Sequence, residues 1–184
     1  MKLQAPSNVF VVIALIGLAA LSRLLPHPPN FTAVGAMALF GSAYLFPRWL
    51  GFAVPFGALW ISDLVINNLI YASYFDHFVW FYNPSNYIGF GLVIAAGFLL
   101  LKRVRLGNVV LASFVASLIF FGVSNFGVWL SNPLYPQTGA GLLACYAAGV
   151  PFFWNTLAGD LSFSLMLFGS FAWIRRMQTT PVRQ

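Results

Sequence analysis

Residues 151–176 read PFFWNTLAGDLSFSLMLFGSFAWIRR. The stretch is long and apolar enough to cross a membrane, and it carries a carboxylate, Asp160, near its middle. A charge at the centre of a transmembrane helix costs roughly 2.5–3.5 kcal/mol on insertion scales, so the fold must give Asp160 a polar environment. Thr156 and Ser164 stand four residues to either side and share its helical face. Gly159, beside that stripe, admits a neighbouring backbone at close range. The segment therefore predicts a helix lining an internal polar site that the other helices enclose.

The rest of the chain agrees with a membrane setting. Of its 184 residues 60% are hydrophobic and 7% charged, against about 25% charged in a soluble domain. It reads as all-α, with one domain over 1–176 and a tail, 177–184, where disorder is expected. The net charge of +6 does not indicate nucleic acid, because the basic residues lie between apolar segments and act as topology signals. A single cysteine, Cys145, excludes an intramolecular disulfide and a Cys-rich metal site. The first segment follows Lys2 as a signal peptide would. It lacks a small-x-small cleavage pattern and is read as a retained helix.

Hydropathy predicts six transmembrane helices at about 8–25, 30–46, 49–72, 87–101, 108–130 and 151–174, each near the length a hydrocarbon core of about 30 Å requires. Pro26, Pro28 and Pro29 end the first. Asn30 is the expected N-cap of the second, which also accounts for the sequon-like Asn30-Phe31-Thr32. Gly35, Ala38, Gly41 and Ser42 make the second a tightly packed helix. Pro55 is a candidate kink in the third. The connections 73–86, dense in aromatics, and 131–149, uncharged, are read as loops. With the N-terminus inside, eight basic residues are cytoplasmic (Lys2, Arg48, Lys102, Arg103, Arg105, Arg175, Arg176 and Arg183) and only Arg23 is outside. The positive-inside rule thus puts both termini in the cytoplasm and every long loop outside.

This topology brings polar residues to similar depth. Asp63 and Asp160 each lie roughly 14 Å below the outer surface at 1.5 Å per residue. Asn67 and Tyr71 follow Asp63 by successive turns, Asn155 and Thr156 precede Asp160, and Asn125 has Trp129 one turn above it. With Trp80 from the aromatic loop, these nine form the candidate substrate site, a cup opening outward under an aromatic lid. The carboxylates could instead be structural, and the aromatics an interfacial belt. His27, His77 and Cys145 show no metal-ligand spacing. Nucleophile-elbow, zinc-protease, Walker and Rossmann motifs are all missing. No catalytic residue, metal or cofactor is assigned, and the chain is read as a non-enzyme.

A chain of this size with six helices, both termini inside and long outer loops after the first, third and fifth resembles the S components of energy-coupling-factor (ECF) vitamin transporters. The final helix of some of them, which Pro151-Phe152 followed by Gly159-Asp160 resembles, has a proline-phenylalanine start and a Gly-Asp pair. The phrases PPNFTAVGAMALFGSAYLF, ISDLVINN and FFWNTLAGDLSFSLMLFG also resemble an uncharacterised bacterial integral-membrane family. The resemblance implies a small vitamin-like ligand, a multi-pass place in the bacterial inner membrane, and a transmembrane coupling protein with ATPases as partners. The Ala-x-x-x-Ala of S-component first helices is missing here; its nearest match, Ala112/Ala116, is in the fifth. A second reading is a scaffold or assembly protein, and a third is a membrane-surface enzyme. An outer cavity would favour the binder, and carboxylates satisfied around a solid core would favour the scaffold.

Overall fold

In the computed structural model, which describes residues 6–179, six α-helices follow one another. They are α1 (Pro6–Ser22), α2 (Val34–Tyr44), α3 (Arg48–Val65), α4 (Pro84–Leu100), α5 (Leu106–Ser131) and α6 (Gly139–Thr179). α3 runs on into a turn of π-helix, Ile66–Ile70, and a 3₁₀ turn follows at Ala72–Tyr74. There is no strand among the described residues. Three stretches are long and apolar enough to cross a bilayer: Arg48–Ile70, Leu106–Ser131 and Gly139–Gln178. The other three helices are apolar but shorter. By length and composition this is a membrane protein.

Local chemistry sets the helix ends. Asn83 caps α4, its side chain accepting from the Ser85 N–H at 3.0 Å, and Pro84 takes the first helical position. Asn30 is not the cap expected for the second helix. It adopts a left-handed φ of 63°, which asparagine tolerates better than most residues, and α2 begins only at Val34. Its 11 residues span about 16 Å, against the 30–46 expected.

α2 is the helix around which the bundle is built. Eight of its residues, Gly35 through Ser42, are buried, and it packs against all five other helices. A helix enclosed on every side is apolar all round, and small residues let its neighbours close in. A Cβ at Gly41 would run into the Pro55 ring of α3, and one at Gly97 of α4 into the Ser42 side chain. Near its C-terminus, Phe40 and Tyr44 meet Phe168 and Phe171 of α6, with centroids 4.5 to 5.7 Å apart. The α1–α2, α3–α4 and α5–α6 connections gather at one end, the loop end. Arg48 and Arg175 stack over Phe98 and Phe171 near the opposite, basic end.

α6 departs most from expectation. The sequence predicts a loop over 131–149 and a helix starting at Pro151. The helix instead starts at Gly139, where Thr138 Oγ1 accepts from the Gly141 N–H at 3.2 Å. Residues 139–150 pack on α5: the Tyr146 hydroxyl donates to Gly122 O at 2.6 Å, and Cys145 Sγ lies 3.4 Å from Asn125 O. Pro151 is an internal proline, not a first-turn one. From Cys145 to Ser164 α6 runs beside only Ser113 to Asn125 of α5. At 1.5 Å per residue those runs are about 28 and 18 Å, so the two helices cannot lie straight and parallel there. Pro151, in the middle of the longer run, lacks the N–H that a straight helix would use. At the other end α6 continues to Thr179. Part of the expected disordered tail is thus helical, and 180–184 lie outside the described residues.

Candidate functional site

At the loop end lies a cleft of two lobes. One, about 550 Å³, lies among the start of α2, α5 and α6. The other, about 890 Å³, lies among α1, α3 and α4. Arg23, Asn30, Asn86 and Phe120 line both, so the lobes meet at these residues. Each is of the size that small-molecule sites usually have.

Asp160 forms the floor of the first lobe and is 2% exposed. Its carboxylate accepts from the backbone N–H groups of Gly35 and Ala36, in the first turn of α2. Ser117 Oγ of α5 donates to it at 2.7 Å. The N-cap residue of α2, Ala33, has no side-chain acceptor, and a helix N-terminus leaves donors and partial positive charge exposed. Asp160 thus caps, from another helix, the buried helix at the centre of the bundle. Gly35 must lack a side chain for this, because a Cβ there would lie 2.6 Å from Asp160 Cγ. The polar path continues from Ser117 to Ser113 O at 3.1 Å, and from Ser113 Oγ to Ser164 Oγ at 2.9 Å. The same part of α6 holds the α1–α2 connection. Asn155 Nδ2 donates to Pro29 O at 2.9 Å, and a Cβ on Gly159 would come within 2.9 Å of the Thr32 backbone.

Asp63 lines the second lobe and has different partners. Arg23 Nη2 sits 2.6 Å from Asp63 Oδ1, with the two side chains 12% and 17% exposed. Tyr87 Oη donates to Oδ2 at 2.8 Å. Arg23 also donates to Ser62 Oγ and to Leu59 O. Removing one member of a pair this buried costs about 3–5 kcal/mol. The two carboxylates therefore occupy separate lobes, and each has protein donors on it.

Of the nine sequence-predicted residues, Asp63, Asn67 and Tyr71 line the second lobe, and Asn125, Thr156 and Asp160 line the first. Three do not line the cleft. Asn155 secures Pro29, Trp129 Nε1 donates to Pro136 O at 2.9 Å, and Trp80 packs on Phe78 at 4.7 Å. The aromatic loop lies tied to α3: Asn68 exchanges hydrogen bonds with both the N–H and C=O of Val79, and Trp60 Nε1 donates to Trp80 O. From that loop Tyr82 reaches both lobes.

Sequence reasoning missed Arg23, Asn30, Thr32, Asn86 and Ser124, all of which line the cleft. Arg23 carried a signal, since it is the one Lys or Arg that the expected topology puts on the outer side, toward which Asp63 was expected to face. The short polar residues carried none. Asn30, Thr32, Asn86 and Ser124 have side chains with no hydrogen-bond partner among the described residues.

These features define a class: an all-helical membrane protein, wrapped around a short buried helix, with a solute-sized cleft at one end. The chain belongs to DUF6580, a family of unknown function whose model matches residues 3–182. No curated protein and no solved structure matches it.

Proposed function

We propose that this protein binds a small organic solute within the membrane and carries it across, in the manner of an ECF S component. In this reading six helices span the bilayer, both termini are cytoplasmic, and the cleft opens outward. The observation that carries it is the two-lobed cleft, lined by aromatic rings and by several polar side chains, such as those of Asn67 and Asn86, with no hydrogen-bond partner among the described residues. Supporting the orientation, the cleft lies at the loop end while most of the basic residues belong to the other. Asp63 and Asp160 then hold the walls in place, and ligand contact falls to Asn67, Tyr71, Asn125, Thr156 and the newly found Asn86. Transport energy comes from a coupling partner with ATPases.

A second reading, a scaffold without transport, is favoured by one fact: both carboxylates are already satisfied inside the protein. Filling the cleft separates the two. Phe120→Trp adds bulk where the lobes meet and touches neither carboxylate. Solute uptake by cells carrying this variant should fall at least tenfold while its membrane level stays at that of wild type. Unchanged growth and uptake phenotypes in the variant, with loss of them on deleting the gene, would favour the scaffold.

A further inference from the structure

We propose that the solute is uncharged and planar, with a hydrogen-bond donor and acceptor side by side on one edge, as in a lactam or cyclic imide, and that the Asn67 carboxamide reads that edge. This rests on the solute-binding reading above and deepens it.

Charge is the first constraint. Arg23, Asp63 and Asp160 are the Arg, Lys, Asp and Glu residues lining the cleft. Arg23 and Asp63 neutralise each other at 2.6 Å, and Tyr87 takes the second oxygen of Asp63. Asp160 is held by the first turn of α2 and by Ser117. His27 also lines the second lobe, its ring nitrogens within hydrogen-bond distance of Pro28 O and Arg23 O. An anionic solute would shed water without meeting a free Arg or Lys, and a cationic one would find the carboxylates already taken up by protein donors, which is costly.

The second constraint is Asn67. It is 8% exposed and lines the second lobe. Its carboxamide hydrogen bonds to nothing among the described residues, yet neither of its polar atoms is sealed from solvent. Its neighbour Asn68 is the contrast. That amide is fully used, donating to Leu64 O and Val79 O at 3.0 Å and accepting from the Val79 N–H at 2.7 Å. The π-helical turn Ile66–Ile70 contains both residues, and such turns recur at functional sites. One asparagine ties down the loop, and the other is left for the cleft. A carboxamide offers a donor and an acceptor side by side, and its best complement is the same pair reversed. A solute that covers this amide without pairing it leaves a desolvated polar group unmet, which discriminates against solutes without that edge.

Flatness comes from Phe120. Its ring lies where the lobes meet and makes no ring–ring contact among the described residues. Tyr71 and Tyr82 line the same second lobe. Offset or edge contacts with a planar ring add to the gain from area burial.

The test uses the full chain in lipid nanodiscs and three probes: quinazoline-2,4-dione, its 1,3-dimethyl derivative with the edge donors blocked, and a carboxylate-bearing dione. Calorimetry should show the dione binding at least tenfold more tightly than either of the others. Asn67→Leu should lower dione affinity to that of the dimethyl compound and leave the latter unchanged. Asn67→Asp, nearly isosteric, should weaken the dione likewise if the leucine variant does not assemble. Equal binding of the carboxylate, or a dione preference indifferent to Asn67, overturns this inference while solute binding stands. Should none of the probes bind, solvent extraction of the purified protein decides. A neutral lactam-edged molecule supports the inference, a charged one overturns it alone, and no bound molecule overturns the solute-binding reading with it.

Discussion

Asp160→Ala should destabilise the fold itself. The substitution removes one carboxylate and strands three donors in a site 2% exposed: the Gly35 and Ala36 N–H groups and the Ser117 hydroxyl. An unmet buried donor costs about 1–3 kcal/mol, and deleting an N-cap about 0.5–2 kcal/mol. Two effects offset this. Ser117 retains Ser113 O at 3.1 Å as an acceptor, and the variant no longer buries a carboxyl group inside the bundle. Interhelical hydrogen bonds in membranes also fall toward the low end, about 0.6–1.7 kcal/mol. The net loss is then about 2–4 kcal/mol, a factor of roughly 30 to 700 in the unfolding constant. Asp160→Asn keeps an acceptor oxygen, and asparagine caps about as well as aspartate, so it should cost about 1 kcal/mol. Equilibrium unfolding of both variants in bicelles, by steric trapping, measures these values. An alanine variant within 0.5 kcal/mol of wild type, or an asparagine variant as damaged as alanine, would refute the capping role.

Gly35→Ala should be destabilised comparably, because its Cβ displaces the Asp160 carboxylate. The Gly35→Ala/Asp160→Ala double variant should lose less than the sum of the two, since residues sharing one interaction do not add; strict additivity in the same unfolding assay would contradict this. Arg23→Met and Asp63→Leu should each cost about 3–5 kcal/mol alone, with the double variant closer to wild type, because a lone buried charge is worse than none. A double variant worse than either single would count against the ion pair as drawn. Asn68→Ala should release the aromatic loop, visible as faster hydrogen exchange at the Val79 amide, with little change in the α2 amides. Protection at Val79 equal to wild type would show that the loop is held by other contacts.

Hydropathy was sufficient for the number and order of the α-helices among the described residues, three of which are long and apolar enough to cross a bilayer. It located α4 and α5 within about three residues. It placed the start of α6 twelve residues late, since Pro151 reads equally as a first-turn proline or an internal one. Only the packing of Tyr146 and Cys145 on α5 decides between these. α2 was expected longer than it is because Asn30 reads as an N-cap, whereas it adopts a left-handed φ of 63° and the helix begins only at Val34. The cost of Asp160 was legible, but its partners were not. Two are backbone donors about 125 positions away, which no side-chain pattern marks, and the third, Ser117, is one of several small polar residues in α5 that the sequence does not single out. Asp63 and Asp160 looked like a pair from their depth alone, whereas depth says nothing about position around the bundle axis. Arg23 had been absorbed as a topology signal, and it is the actual partner of Asp63.

Mass spectrometry of small molecules released from the purified protein tests the central claim most directly. Wild-type protein extracted in mild detergent should carry one small organic solute at near-stoichiometric occupancy, and Phe120→Trp should carry at most a tenth as much. Protein that releases no solute, or the same amount from both forms, would contradict a binding role for the cleft.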